Sequence, residues 1–69
     1  MSIRIDLVTI RLLKKGDIIY HPKKSEKYSI WEIGKDFIIA ELQDETRYVE
    51  LFRFHKLIND GWRAVDGVK

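Results

Sequence analysis

Hydrophobic and polar residues alternate with a period of two over residues 3–7, which read Ile-Arg-Ile-Asp-Leu. That period is typical of a half-buried β-strand. The phase changes at Val8, after which Ile10 and Leu12 take the apolar positions, and such a change indicates a bulge or a bend between strands. A helix is the alternative, because three of these apolar residues also share one helical face, but the β-branched content favours a strand.

Short apolar runs bounded by turn residues continue along the rest of the chain. We expect Gly and Asp to form the first turn, at 14–17, and Pro22 to end the strand after it. A single helical turn is predicted for His55–Asp60, ended by Gly61, and the last residues, 66–69, are expected to be loose. The predicted strands are residues 18–21, 28–33, 37–42, 47–54 and 62–65, with further turns at 34–36 and 43–46.

Strands this short and closely spaced predict an all-β fold: a small SH3-like (Tudor-like) barrel, five- to six-stranded and partly open. The 69 residues are enough for one domain, spanning 1–69, with one thin core. A domain of this size buries roughly 60% of the surface that its unfolded chain exposes. It has no room for an enclosed cleft.

Composition narrows the classes of protein that remain. Hydrophobic residues make up 45% of the chain, which is too much for disorder, and there is no cysteine for disulfides or thiolate metal sites. No apolar run approaches the roughly 20 residues of a membrane span, and the N-terminus lacks the pattern of a signal peptide, so we expect a cytoplasmic protein with no membrane partner.

Charge is distributed unevenly along the chain. The net charge is only +2. Eight basic and four acidic residues up to Lys35 give +4, and five basic and seven acidic residues from Asp36 onward give −2. A lysine-rich loop exposed to solvent is the simplest explanation, and a surface for an anionic partner is the alternative.

Candidate catalytic chemistry is sparse. His21 and His55 have no second histidine at the spacing of a metal site, and no serine stands in a recognisable triad setting. The glycines are isolated, so no phosphate-binding loop is predicted. We expect His21 to cap a turn by hydrogen bonding. These observations predict a protein that is not an enzyme and has no catalytic residues, metal, cofactor or small-molecule substrate.

The stretch Gly-Asp, two apolar residues, Tyr, then His-Pro-Lys, at 16–23, is followed by a polar loop, a strand and Gly34. It resembles the opening of the Tudor-like and SH3-like barrels at the C-terminus of UvrD/PcrA-type helicases and the N-terminus of CarD-type transcription regulators. The resemblance covers residues 14–42. The loop after Lys23 carries Ser25 and Lys27 where that family has glycines. The resemblance implies a barrel and a partner such as RNA polymerase, with Ile19 inside.

The outer face of such a barrel is the candidate binding surface. With Ile19 inside, Tyr20 is expected to be exposed, and Ile30 and Trp31 must point to opposite faces. Trp62 is expected to plug one end of the barrel. The aromatic residues expected to line the core on the long strand are Tyr48, Phe52 and Phe54. The predicted partner-binding residues are Lys14, Lys15, Tyr20, Lys23, Lys24, Lys27, Tyr28 and Trp31.

Aromatic rings beside lysines suit two classes of partner. The first hypothesis is a non-catalytic protein-interaction module that docks on a larger machine of transcription or DNA processing. A single domain of this small size is typical of an accessory protein of a phage or mobile element. The alternative is a nucleic-acid-binding barrel, since rings stack on bases and ammonium groups contact phosphates. Self-association into a homodimer through the strand at 47–54 is a third possibility.

Overall fold

The computed structural model describes residues 2–43 and 48–65. In these ranges the chain forms six strands, a 3₁₀ helix and one α-helix, α1 (Phe54–Asp60). The strands are β1 (Ser2–Arg4), β2 (Ile18–Tyr20), β3 (Lys27–Ile33), β4 (Phe37–Leu42), β5 (Val49–Arg53) and β6 (Arg63–Val65). All neighbouring strands are antiparallel, in the order β1-β6-β2-β3-β4-β5. This is the expected small, partly open, SH3-like all-β barrel, with β1 and β5 as the sheet edges.

The core sits inside the curl of the sheet. Each strand from β2 to β6 contributes alternate residues to it, as a period of two requires, and α1 adds Leu57, which is fully buried. Ile30 is 2% exposed while Trp31 is 53% exposed, so the expected division of the two between opposite faces is confirmed. The core residues are Ile5, Ile10, Leu13, Ile19, Ile30, Ile38, Ala40, Phe52, Leu57, Trp62 and Ala64.

A bulge in β3 allows the sheet to curl. The pairing of β3 with β4 shifts register between Ile30 and Glu32, so Trp31 is the extra residue on the bulged strand. A bulge bends its strand and increases the local twist. The first half of β3 can therefore pair with β2 on one side while its whole length pairs with β4 on the other.

The N-terminal region differs from the sequence prediction. Its strand ends at Arg4, and residues Thr9–Leu12 form a 3₁₀ helix rather than a second strand after a bend. The carboxylate of Asp6 is the cause: its Oδ1 accepts the backbone N–H of Thr9 at 2.8 Å and that of Val8 at 3.0 Å. These bonds, led by that from Thr9, lower the pKa of Asp6 below its ordinary value of 3.8. The helix buries Ile10 and leaves Leu12 exposed.

The long strand is shorter than predicted. Strand β5 ends at Arg53, because α1 begins at Phe54, one residue before the predicted helical turn. Phe52 is buried and Phe54 packs against the core, as expected, but Tyr48 is 51% exposed and the prediction that it lines the core is wrong. Tyr48 precedes the first residue of β5, beyond the part of the sheet that covers the core. Residues 44–47 and 66–69, where part of a turn, the strand start and a loose end were predicted, lie outside the described residues.

Glycine forms the turns that the sequence predicted. Gly16 has a φ of 94°, in the turn before β2, and Gly61 has a φ of 84° at the C-terminus of α1. The N–H of Gly61 donates to the carbonyl of Ile58 at 3.4 Å, and that of Trp62 donates to Leu57 at 3.1 Å. This helix end turns the chain so that Trp62 enters the core before β6 begins.

Replacing Gly61 tests this helix end. A Cβ at Gly61 would meet no atom within 4 Å, so the cost of Gly61→Ala is the left-handed backbone alone. We expect a loss of about 1 kcal/mol in the free energy of unfolding, which lowers the melting temperature by about 4–8 °C in a domain of this size. Thermal unfolding followed by circular dichroism measures it. The control Asn59→Ala, on the exposed face of the same helix, should melt at or above the wild-type temperature. Equal melting of Gly61→Ala and wild type would contradict this account.

Candidate interaction site

The eight predicted binding residues do not share one surface. Lys14 and Lys15 are exposed at the turn before β2, and the ammonium of Lys14 lies 3.4 Å from the carboxylate of Asp17. Lys23 is exposed on the loop after β2, and Trp31 is exposed on the outer face of β3. The other four form two pairs: Lys24 with Tyr28, at the open end of the barrel, and Tyr20 with Lys27, on the outer face of the sheet.

A groove opens between β5, α1 and the loop that follows β2, and we call it the β5–α1 groove. Its volume is about 400 Å³. Three aromatic rings pack together at its base: those of Tyr28 and Phe52 are 4.9 Å apart, and those of Phe52 and Trp62 are 5.0 Å apart, between ring centres. The residues around it are Lys24, Tyr28, Glu50, Leu51, Phe52, Arg53, His55, Lys56, Asp60 and Trp62.

Strand alternation and the helix end bring these rings together. Tyr28 pairs with Ile19 of β2 and with Leu42 of β4, on the inner face of the sheet. Phe52 pairs with buried Ile38, also on the inner face. Trp62 arrives from the other side, directly after the turn at the end of α1, and is 5% exposed, consistent with the predicted plug at one end of the barrel.

His21 holds the loop that borders the groove. Its Nδ1 accepts the backbone N–H of Lys23 at 3.1 Å, and its Nε2 lies 2.7 Å from the carbonyl oxygen of Asp60. A neutral imidazole with the proton on Nε2 satisfies both bonds. The ring also meets Trp62 edge-on, with centres 5.7 Å apart. His21 therefore caps a turn, as predicted, and ties the loop to the end of α1.

The rim of the groove carries mixed charge. The ammonium of Lys24 lies 5.7 Å from the centre of the Trp62 ring, in the range of a cation–π contact. Lys56 and Asp60 form an ion pair at 3.9 Å. The Tyr28 hydroxyl donates to Glu50 at 3.4 Å. Among the described residues of the rim, Lys24 therefore differs from Arg53 and Lys56: its ammonium contacts an aromatic ring and theirs contact carboxylates.

Burial and a neighbouring carboxylate both act on Tyr28. Desolvation raises the pKa of its hydroxyl above the ordinary value of 10.0, and the negative charge of Glu50 raises it further. Both effects disfavour the phenolate. The groove therefore presents a neutral hydroxyl at ordinary pH.

A second surface runs across the outer face of four strands. The register places Arg4 opposite Arg63, Arg63 opposite Tyr20, and Tyr20 opposite Lys27. We call these four residues the basic row. Tyr20 is half-buried rather than exposed, because it lies between two long side chains, with the Lys27 ammonium 5.9 Å from its ring centre. The guanidinium of Arg63 donates to the hydroxyl and the carbonyl of Ser2.

Two exposed apolar patches complete the surface. On the outer face of β3–β5, the Trp31 indole donates to Glu41 at 3.1 Å, next to the exposed side chains of Val49 and Leu51. Ile39 lies between them on β4, opposite Leu51. We call Trp31, Ile39, Val49 and Leu51 the outer stripe. The other patch lies at the 3₁₀ helix, where Leu7, Val8 and Leu12 are each at least 68% exposed.

Within residues 2–43 and 48–65, no group of three or more His, Cys, Asp or Glu side chains is placed to hold a metal ion. In the same residues, no helix has the length and apolar character needed to cross a membrane.

The pKa of Tyr28 makes stability depend on alkaline pH. Because it is higher in the folded than in the unfolded state, Tyr28 stabilises the fold fully below about pH 10, and this contribution is lost as the pH rises through the folded-state value. We expect the urea midpoint to fall above pH 10 in the wild type and to fall less in Tyr28→Phe. Trp31→Phe, which alters an exposed aromatic residue, should keep the wild-type slope. Equal slopes for Tyr28→Phe and wild type would show that Tyr28 ionises as freely in the fold as outside it.

No family model, curated protein or solved structure matches this chain. The resemblance of residues 14–42 to helicase and transcription-regulator barrels therefore stays a prediction. Any function proposed for this chain must therefore be inferred from the geometry of the β5–α1 groove and of the basic row.

Proposed function

We propose that this chain is a non-catalytic protein-interaction module that holds a segment of a partner protein in the β5–α1 groove. The observation that carries the proposal is the cluster of Tyr28, Phe52 and Trp62 at the base of an open groove of about 400 Å³. Aromatic anchors surrounded by a charged rim are typical of the energetic centre of protein interfaces. The base offers an apolar side chain of the partner the half-buried ring of Tyr28 and the small exposed parts of Phe52 and Trp62, which are 6% and 5% exposed.

The rim favours an acidic residue next to that apolar side chain. Glu50 and Asp60 are held by Tyr28 and Lys56, whereas Lys24 contacts only the face of Trp62 among the described residues. A partner carboxylate at the rim would gain a charge-assisted contact with Lys24 without displacing an ion pair. Charge of this kind sets the choice of partner and the association rate more than the affinity.

The hydrogen bonds of His21 support a structural rather than a catalytic role for this residue. Both of its ring nitrogens are occupied by backbone groups, of Lys23 and Asp60, so it has no free nitrogen for proton transfer. The resemblance of residues 14–42 to barrels of helicases and transcription regulators points to a large machine of transcription or DNA processing as the partner.

Nucleic-acid binding through the basic row is the second candidate function. The observation that favours it is the register, which lines up Arg4, Arg63 and Lys27 beside Tyr20 across four neighbouring strands. Adjacent strands are about 4.8 Å apart, so the row forms a short cationic track for phosphates. The net charge of +2 favours the protein partner as the first candidate.

A matched pair of charge reversals tests the groove. Lys24→Glu reverses the charge on its rim, and Lys23→Glu makes the same change one residue earlier, on a side chain that does not border the groove. Quantitative pull-down from the native host, followed by mass spectrometry, should recover a protein that is reduced about tenfold by Lys24→Glu. Recovery should be unchanged by Lys23→Glu, with both variants folded by circular dichroism.

Two outcomes count against the groove. Equal recovery with both variants would exclude it as the site. Recovery of nucleic acid instead, with binding that weakens steeply as salt is added and is lost in Arg4→Glu, would favour the basic row, because phosphate contacts release counterions.

A further inference from the structure

Strand β5 is an edge of the sheet, and its ladder with β4 determines which of its backbone groups face away from β4. The carbonyl of Tyr48 accepts the N–H of Leu42, and the N–H of Phe54 donates to the carbonyl of Asp36. Hydrogen-bonded pairs alternate along an antiparallel ladder, so Glu50 and Phe52 also face β4. The N–H and C=O groups of Val49 and Leu51 then point away from the sheet, as does the N–H of Arg53.

Few of the features that protect an edge are found here among residues 2–43 and 48–65. Proteins commonly prevent edge pairing with charged residues, above all lysine, with proline or bulges, or with a covering segment; the charges on this strand are Glu50 and Arg53. Strand β5 reads Val-Glu-Leu-Phe-Arg, its pairing with β4 has no register shift, and no other described strand pairs with it. Val49 and Leu51 are 41% and 50% exposed. Such an edge is suited to accept another strand.

We propose that the partner of this edge is a second copy of the chain, paired β5 to β5 in antiparallel orientation about a two-fold axis at Leu51. The two copies of Leu51 then exchange N–H···O=C bonds. Each Arg53 N–H reaches the Val49 carbonyl of the other copy. The Val49 N–H faces the Arg53 carbonyl of the other copy, which at the N-cap also accepts the first bond of α1; a carbonyl oxygen has two lone pairs and can accept both.

The sequence of β5 is complementary to itself in this register. Val49 lies opposite Arg53, Glu50 opposite Phe52, and Leu51 opposite Leu51, so no like charges meet. A two-fold axis at Glu50 would place two carboxylates opposite each other, which is destabilising. An axis at Phe52 would bring the pairing against α1, which starts at Phe54.

The outer stripe provides the apolar contact for this pairing. Leu51 of one copy meets Leu51 of the other, and Ile39 and Trp31 extend the patch on both sides of the axis. An isologous interface needs one surface that complements itself, and the stripe meets that condition. The short strand limits the buried area, so we expect a weak dimer that forms with rising concentration.

Sedimentation of the intact chain tests the proposal. The weight-average mass of the wild type should rise towards twice the monomer value between micromolar and millimolar concentration. Leu51→Lys places two ammonium groups opposite each other on the axis and should weaken the dimer at least about tenfold. Leu12→Lys, an equal change on an exposed leucine of the other apolar patch, should sediment as the wild type does.

Crosslinking provides a readout that does not depend on the lysine variant. The chain contains no cysteine, so Leu51→Cys treated with a short bifunctional maleimide should give a covalent dimer in far higher yield than Leu12→Cys. A wild type that stays monomeric at millimolar concentration would overturn the proposal. So would a dimer that survives Leu51→Lys, or one that crosslinks preferentially through Leu12→Cys and thereby assigns the contact to the 3₁₀ patch.

Discussion

Inward packing onto a thin core is the constraint that determines the rest of this structure. The largest fully buried side chains are Ile5, Ile19, Ile30, Ile38 and Leu57. Burial of such aliphatic side chains stabilises a fold by about 1.5–3 kcal/mol each relative to exposure. The strands must therefore keep one face towards this group, and the bulge in β3 bends the sheet around it. The sheet curls around this small core, and its two edge strands, β1 and β5, do not pair with each other.

Incomplete closure explains where the β5–α1 groove and the edge of the sheet at β5 lie. Strand β5 remains an edge, and α1 crosses from its end to β6, which leaves a groove between them. Trp62 and Phe52 fill the inner side of that gap, and Tyr28 lines its wall. The open side of the barrel thus concentrates aromatic rings, free backbone groups and charge in one region. On the far side, the register of β1, β6, β2 and β3 gathers cations that are distant in sequence.

The sequence predicts local elements better than it predicts surfaces. Turns at Gly16 and Gly61 were predictable, because a left-handed residue favours glycine wherever it occurs. The opposite faces of Ile30 and Trp31 followed from strand alternation. The 3₁₀ helix was missed, because the cap from Asp6 is a local hydrogen bond that competes with strand pairing. Tyr48 shows a different limit of sequence prediction. Strand alternation correctly places it on the same face as Phe52, but the core does not extend as far as Tyr48, which is exposed.

Long-range pairing was beyond the sequence pattern. Arg4 and Arg63 join Tyr20 only through the register of β1 and β2 with β6, and no spacing within the chain indicates that. The groove likewise depends on where the end of α1 places Trp62, which the sequence pattern does not indicate. Lys24 and Tyr28 were predicted as binding residues, but their common position at the groove required the fold.

Amide hydrogen exchange along β5 is the most direct test of an incompletely closed barrel. At a concentration where the chain is monomeric, the N–H groups of Glu50 and Phe52 should be protected by β4, while those of Val49 and Leu51 exchange close to the rate of an unstructured peptide. That alternation would establish a formed strand with one free side. Equal protection of all four would mean that the edge is covered, and equal lack of protection would mean that β5 is not part of the sheet.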